Sequence, residues 1–252
     1  MRKPSQAKSK YVFSPIRYLS QYSSDLQKKY DVKRVRVVAV GLLKAGKSSF
    51  LSAMTQQPER FKSGVIRTTI KNQEYHDEFF SWIDTPGIDD TEQETTSAFA
   101  GLQKADVVLF VHNLKQGELD CSEMQFIQQN IDQDPNFLSK ITFVLTHIDD
   151  VGDQAAAEIW QAIEKQCLDQ LKHTPNHFAV SSPRYLKGII EQKKLLIQRS
   201  NIPALQDFLL SFYYAQKVSD MQHRAQQLRS TLEHELFLLN EQQNTLEQKL
   251  AF

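Results

Sequence analysis

The segment Gly41-Leu42-Leu43-Lys44-Ala45-Gly46-Lys47-Ser48 has the spacing G-x-x-x-x-G-K-S. Chemistry of one kind needs those residue types in that order. Glycines at 41 and 46 let the backbone curl until several N–H groups point at one anion, and a helix beginning near Lys47 adds the positive end of its dipole. Lys47 then carries charge to the terminal phosphates of a nucleoside triphosphate, and the Ser48 hydroxyl is a Mg²⁺ ligand. Ala45 and Ser49 complete the stretch that touches the nucleotide.

Three further motifs follow in order. Asp84-Thr85-Pro86-Gly87 comes directly after an apolar run, where the Asp84 carboxylate can reach Mg²⁺ through water and the Gly87 N–H can meet a γ-phosphate. Thr146-His147-Ile148-Asp149 ends the run ITFVLT, and a carboxylate at 149 can accept both N1–H and N2–H of guanine, a pair that adenine does not offer. Ser181-Ser182 closes the last apolar run and can brace the base from the other side.

The elements that must position these groups are legible as alternating apolar and polar stretches. Arg34 to Gly41, Val107 to His112, Ile141 to Thr146 and His177 to Ser181 are short β-branched or apolar runs. Helix-favouring stretches lie between them, at roughly 47–56, 92–104, 118–131 and 153–172. This rhythm predicts an α/β fold with a doubly wound, mostly parallel sheet covered on both faces. Glu74 to Phe80 and Ser81 to Asp84 break the rhythm and read as two strands around His76-Asp77, an antiparallel edge followed by a return to the sheet. Each motif then sits at the C-terminal end of a strand, where open α/β sheets bind ligands.

GLLKAGKSS, the threonines of IRTTI, DTPG, THID and SS together resemble the guanine-nucleotide motifs of the translation-factor-related P-loop GTPases, and the resemblance covers about residues 33–215. AGKSSFL resembles the phosphate loop of the dynamin-like branch, DTPGI is common to the Era-like and dynamin-like branches, and NIPALQDFLLSF resembles their final domain helix. The resemblance implies GTP and GDP as ligands, Mg²⁺ as cofactor, and in-line attack of water on the γ-phosphate, slow in a monomer and faster with a partner or in a dimer. It also implies that Thr69 is the switch threonine closing on Mg²⁺ and the γ-phosphate, with Thr68 as the alternative. The chain departs from the pattern at several places. His147 stands for the lysine that lies along the base, although its ring can still stack there, and Thr146 stands for asparagine. Ile88 follows DTPG where one branch has a water-orienting glutamine. Lys44 stands where Era-like enzymes that use potassium have asparagine and guanylate-binding proteins have arginine. Lys44 can therefore fold over the phosphates as a finger in cis, or simply face solvent.

Outside residues 33–215 the character changes. Residues 1–10 are basic and aperiodic, and read as a tail. In 11–32, Ile16, Leu19, Tyr22, Leu26 and Tyr30 fall at helical intervals, giving one apolar stripe to be covered by the main domain, by the C-terminal helix, or by lipid or a partner. Residues 216–252 lack Gly and Pro and are expected to be helical. Val218, Met221, Ala225, Leu228 and Leu232 keep a three-four rhythm that Leu236, Leu239, Leu246 and Leu250 resume after a stutter. That helix either packs on the N-terminal one or forms an intermolecular coiled coil. The chain is too short for the large helical stalk of dynamin-like proteins, so a minimal member, a subunit completed by another chain and an Era-like enzyme with a helical appendage all stay open.

Composition narrows the partners. Among 252 residues, 30 Lys+Arg balance 30 Asp+Glu, so no global field draws the chain to nucleic acid or to an anionic bilayer, and membrane contact would need a local patch. Cys121 and Cys167 have no metal-ligand spacing and are too few for a disulfide framework, which fits a reducing cytoplasmic setting. No run approaches the roughly 18 apolar residues of a membrane span or the core of a leader peptide. Asp89, Asp90, Glu92 and Glu94 read as a solvated loop capped by Thr91, and His76, His112, His173, His177, His223 and His234 are assigned no role. The expected outcome is a GTP-hydrolysing switch acting as a homodimer or with a helical partner. The alternatives are a GTP-binding module with negligible hydrolysis and a scaffold or membrane-associated protein that assembles with nucleotide.

Overall fold

Val35–Val40 (β1) holds four valines and one alanine buried on both faces, with half-buried Arg36 near its start, which suits the middle of a parallel sheet. A computed structural model describes residues 34–57, 61, 73–88 and 102–250. The sheet continues with Gln73–His76 (β2), Phe80–Asp84 (β3), Val107–Asn113 (β4), Ile141–Thr146 (β5) and Asn176–Ala179 (β6). Its order is β2-β3-β1-β4-β5-β6, all parallel except β2, which runs antiparallel to β3.

The helices are Lys47–Thr55 (α1), Cys121–Gln133 (α2), Phe137–Lys140 (α3), Ile148–Val151 (α4), Asp153–Leu171 (α5), Ser182–Ile190 (α6), Lys194–Gln198 (α7) and Ile202–Leu250 (α8). Alternation along β1 sends Val37 and Ala39 into one core and Val38 and Val40 into another. The first core is closed by Phe50 and Leu51 of α1, Tyr185 of α6, and Leu205, Leu209 and Tyr213 from the start of α8. The second is closed by Phe126 and Ile127 of α2 and by Trp160, Ile163 and Cys167 of α5. The sheet is therefore doubly wound, as the alternating runs predict.

Three boundaries differ from expectation. The first edge strand ends at His76 rather than Phe80, because the Asp77 carboxylate accepts from the Phe79 and Phe80 N–H groups at 2.8 and 2.7 Å and from the Trp82 indole at 2.7 Å. Those bonds make 77–79 a turn and leave Phe80 to open β3. The last strand runs Asn176–Ala179, since Ser181 turns inward to cap α6, accepting from the Arg184 N–H at 3.1 Å. The helix expected from 216 begins at Ile202 and continues for 49 residues, because its first turns are anchored in the core by Ile202, Leu205 and Leu209. The N-terminal tail and helix, Thr68 and Thr69, and the acidic loop from Asp89 to Glu94 lie outside the described residues. Among the described residues no helix is long and apolar enough to cross a membrane.

Candidate functional site

β1 ends at Val40, and the chain must reverse within a few residues into α1. Gly41 has φ 150°, and a Cβ there would sit 2.1 Å from the Val111 carbonyl oxygen, so β4 leaves room for glycine alone. Gly46 has φ 92° at the N-cap of α1, and Lys44 adopts a left-handed φ of 64°. The Lys47 ammonium donates to the Gly41 and Leu42 carbonyls, both at 2.8 Å, so the side chain is buried and curled on its own loop. Lys44 and Ser49 are exposed, while Ala45 is buried.

β3 delivers the carboxylate. Ala39 and Asp84 are register partners on adjacent parallel strands, and the Ser48 hydroxyl donates to Asp84 Oδ2 at 2.9 Å. Asp84 is buried, and its Oδ1 has no hydrogen-bond partner. Burial raises the pKa of this carboxyl above the usual carboxylate value, against the opposing pull of the Ser48 hydrogen bond and the Lys47 charge. A buried anionic oxygen without a donor is costly and suits a ligand that brings positive charge. Two hard oxygens, Ser48 Oγ and Asp84, fit an ion such as Mg²⁺, which keeps several waters and takes its other ligands from phosphates. Among the described residues no group of three or more His, Cys, Asp or Glu could hold a metal ion.

After β3, Thr85 donates to the Ala39 carbonyl at 2.8 Å and the Ile88 N–H donates to the Gly41 carbonyl at 3.2 Å. Those two bonds strap buried Gly87 beside the phosphate loop.

On the other side, β5 ends in Thr146, whose hydroxyl donates to the Ala45 carbonyl at 2.7 Å, with the His112 carbonyl at 3.1 Å. Thr146 is buried and braces the loop rather than offering its side chain to solvent. His147 has a left-handed φ of 64° and opens α4, and its Nδ1 is 3.1 Å from Asp150 Oδ2. Lys115 reaches the same oxygen at 3.3 Å, and His147 followed by Lys115 hold the Asp150 carboxyl below its ordinary pKa. Asp149 is exposed in the first turn of α4. Ser181 and Ser182 are buried at the start of α6, across the Leu145–Ala179 register from the end of β5.

The structure thus brings Gly41, Lys44, Ala45, Gly46, Lys47, Ser48, Ser49, Asp84 and Gly87 together around one loop. Thr146, His147, Asp149, Ser181 and Ser182 stand at the neighbouring strand ends. Sequence reasoning missed Lys115 and Asp150, which fasten His147, and it missed the pair beneath Thr146. There His112 Nδ1 lies 2.8 Å from Glu123 Oε1, with both side chains buried, and its Nε2 meets the Gly117 carbonyl at 2.9 Å. Burial works against the His112 imidazolium, but the Glu123 hydrogen bond and charge, with Gly117 and Asp120, outweigh it and raise the pKa. The available signal was Asp120-Cys121-Ser122-Glu123, a capping box in which Glu123 also accepts from the Asp120 N–H at 3.1 Å.

Comparison with known proteins follows the same lines. An uncharacterized protein of Acinetobacter baylyi is 32% identical over 216 residues, which cover 84% of this chain and 50% of that protein. The chain therefore spans about half the length of the curated relative it matches. A structure from an oligomerised bacterial dynamin pair, described in the sensing and tethering of membranes, superposes with a TM-score of 0.67 at 17% identity, covering 83% of this chain and 50% of that one. Toc33 from Arabidopsis thaliana, in a dimerization-deficient form, superposes with a TM-score of 0.51 at 17% identity, covering 66% of this chain and 78% of its own. Those two likenesses are of fold. The family model described as 50S ribosome-binding GTPase matches residues 36–167, more than half of the chain and including the phosphate loop, and the chain belongs to that family of P-loop GTPases.

Proposed function

We propose that the protein is a Mg²⁺-dependent GTPase switch whose turnover is low in the isolated chain and rises when a partner or a second copy engages it. The observation that carries this reading is the buried Asp84 Oδ1, left without a donor beside the Ser48 hydroxyl at the positive end of α1. Ser48 and Asp84 would hold Mg²⁺ there, and the ion when bound would neutralise charge between the β- and γ-phosphates. The loop N–H groups bind the phosphates, and Lys47 exchanges its two carbonyl acceptors for phosphate oxygens. Asp149 accepts N1–H and N2–H of guanine, His147 lies along the ring, and the backbone at Ser181 and Ser182 braces the far side. Water adds to the γ-phosphorus as the bond to the β–γ bridging oxygen breaks. Thr69, or Thr68 beside it, and the Gly87 N–H orient that phosphate, and Lys44 supplies charge from the loop. Ile88 in place of glutamine supports slow intrinsic turnover.

Steady-state phosphate release from GTP against protein concentration tests the reading, with Mg²⁺ present or chelated and ATP as control. Mg²⁺-dependent turnover of GTP, with specific activity rising with concentration, is expected. Equal turnover of ATP, or tight binding of GTP with no hydrolysis at any concentration, would leave a binding module in its place. The Asp149→Asn variant isolates the base contact, because an amide cannot accept two protons from guanine. GTP affinity is expected to fall at least ~100-fold, with ATP affinity unchanged.

A further inference from the structure

Along the distal two-thirds of α8 runs a helical seam with several large apolar side chains exposed. Val218 is 53% exposed, Met221 58%, Leu232 50%, Leu236 59% and Leu239 46%. Helices of this kind draw their stability from packing an apolar face, so a seam of this length calls for a cover. Two properties of the sequence identify what covers it.

The first is the spacing. Seam positions fall at 218, 221, 225, 228 and 232, then after one four-residue step at 236, 239, 243, 246 and 250. Read backwards from 250, the order repeats to within one residue. An antiparallel copy centred near residue 234 therefore sets Val218 against Leu250, Met221 against Leu246, Ala225 against Gln243, Leu228 against Leu239, and Leu232 against Leu236. The stutter in the repeat falls on the two-fold axis. Phe237 and Leu238 lie off this seam and take no part in it.

The second is charge. Residues 217–230 hold Lys217, Arg224 and Arg229 against Asp220, a net +2, whereas residues 231–250 hold Glu233, Glu235, Glu241 and Glu247 against Lys249, a net −3. Parallel pairing would stack like on like along the whole helix. Antiparallel pairing sets the basic half of each copy on the acidic half of the other. The seam is about 50 Å long and one helix wide, so the pair buries on the order of 1,000 Å² in total, at the low end of specific interfaces.

We infer that α8 is a homodimerisation element, pairing antiparallel with α8 of a second copy about a two-fold axis near residue 234. The pairing needs no nucleotide, so it stands or falls separately from the GTPase reading. Where both hold, it supplies the second copy that raises turnover.

The test uses the full chain without nucleotide, with Cys121→Ser leaving only buried Cys167 and a spin label on Gln222→Cys. Sedimentation is expected to give twice the 29.1 kDa chain mass. Label-to-label distance is expected near ~36 Å, the rise across twice the twelve residues from 222 to the axis, whereas parallel pairing brings the labels to about one helix diameter, ~10–12 Å. The double reversal Arg224→Glu with Arg229→Glu should weaken association at least about tenfold, and adding Glu241→Lys with Glu247→Lys should restore it. Circular dichroism of each variant separates loss of pairing from loss of helix. A single-chain mass at tens of micromolar with α8 helical overturns the inference, as when another segment or protein covers the seam. So does a short label distance, or association indifferent to the reversals.

Discussion

The hydroxyl of Thr146, at the last position of β5, donates to the carbonyl of Ala45 in the phosphate loop across 2.7 Å and 101 positions of chain. Through this bond the end of β5 is tied directly to the phosphate loop. Thr146→Val keeps shape but leaves the Ala45 carbonyl without its donor, at a cost of about 1–3 kcal/mol. Urea denaturation should read that loss, and nucleotide affinity should fall with it. Thr146→Ser, which keeps the hydroxyl, should recover most of both.

At Asp84 the proposed Mg²⁺ site costs stability in the nucleotide-free protein. The buried carboxylate has one oxygen with no partner, so Asp84→Asn is expected to raise the stability of the nucleotide-free protein by about 0.5–2 kcal/mol while abolishing Mg²⁺-dependent turnover. Thermal melts with and without Mg²⁺ and GTP check both halves. A variant that is less stable than the parent when free of nucleotide would contradict the cost assigned to Oδ1.

The His112–Glu123 pair makes stability depend on pH. The folded pKa of His112 is raised, so its contribution is complete below the unfolded value near 6.5 and is lost as pH rises through the folded value. Glu123→Gln keeps a side chain able to cap α2 but removes the charge. The variant should be less stable than the parent by about 1–3 kcal/mol at pH 6, with the gap narrowing toward pH 9. Chemical denaturation at several pH values reads the slope, and parallel slopes for parent and variant would refute the coupling.

Lys44 is exposed at φ 64° in the middle of the phosphate loop. If its charge reaches the γ-phosphate in the reacting state, Lys44→Ala lowers kcat by at least about tenfold with little change in GTP affinity, a smaller effect than the 10³–10⁵ of an arginine finger. Lys44→Arg should keep or exceed the parental rate. Unchanged turnover in Lys44→Ala would assign the residue to solvent.

By itself the sequence determined the parts of the site that are contiguous. The loop from Gly41 to Ser48 is built from backbone torsions and neighbouring N–H groups, and two glycines, a lysine and a serine at set spacing leave it little freedom. The buried strands were equally legible, since both faces of β1, β4 and β5 are covered and a strand covered twice is apolar along most of its length. What joins those pieces came from the tertiary structure. Asp84 meets Ser48 because β3 lies beside β1 in register, and Thr146 meets Ala45 because β5 and β4 bring the next strand end across. Neither pairing follows from local spacing, because sheet order is settled by which faces bury together. The His112–Glu123 pair was hidden for the same reason. A histidine at a strand end is an ordinary polar terminus until α2 packs a carboxylate against it, and only burial turns that contact into a charge held in place.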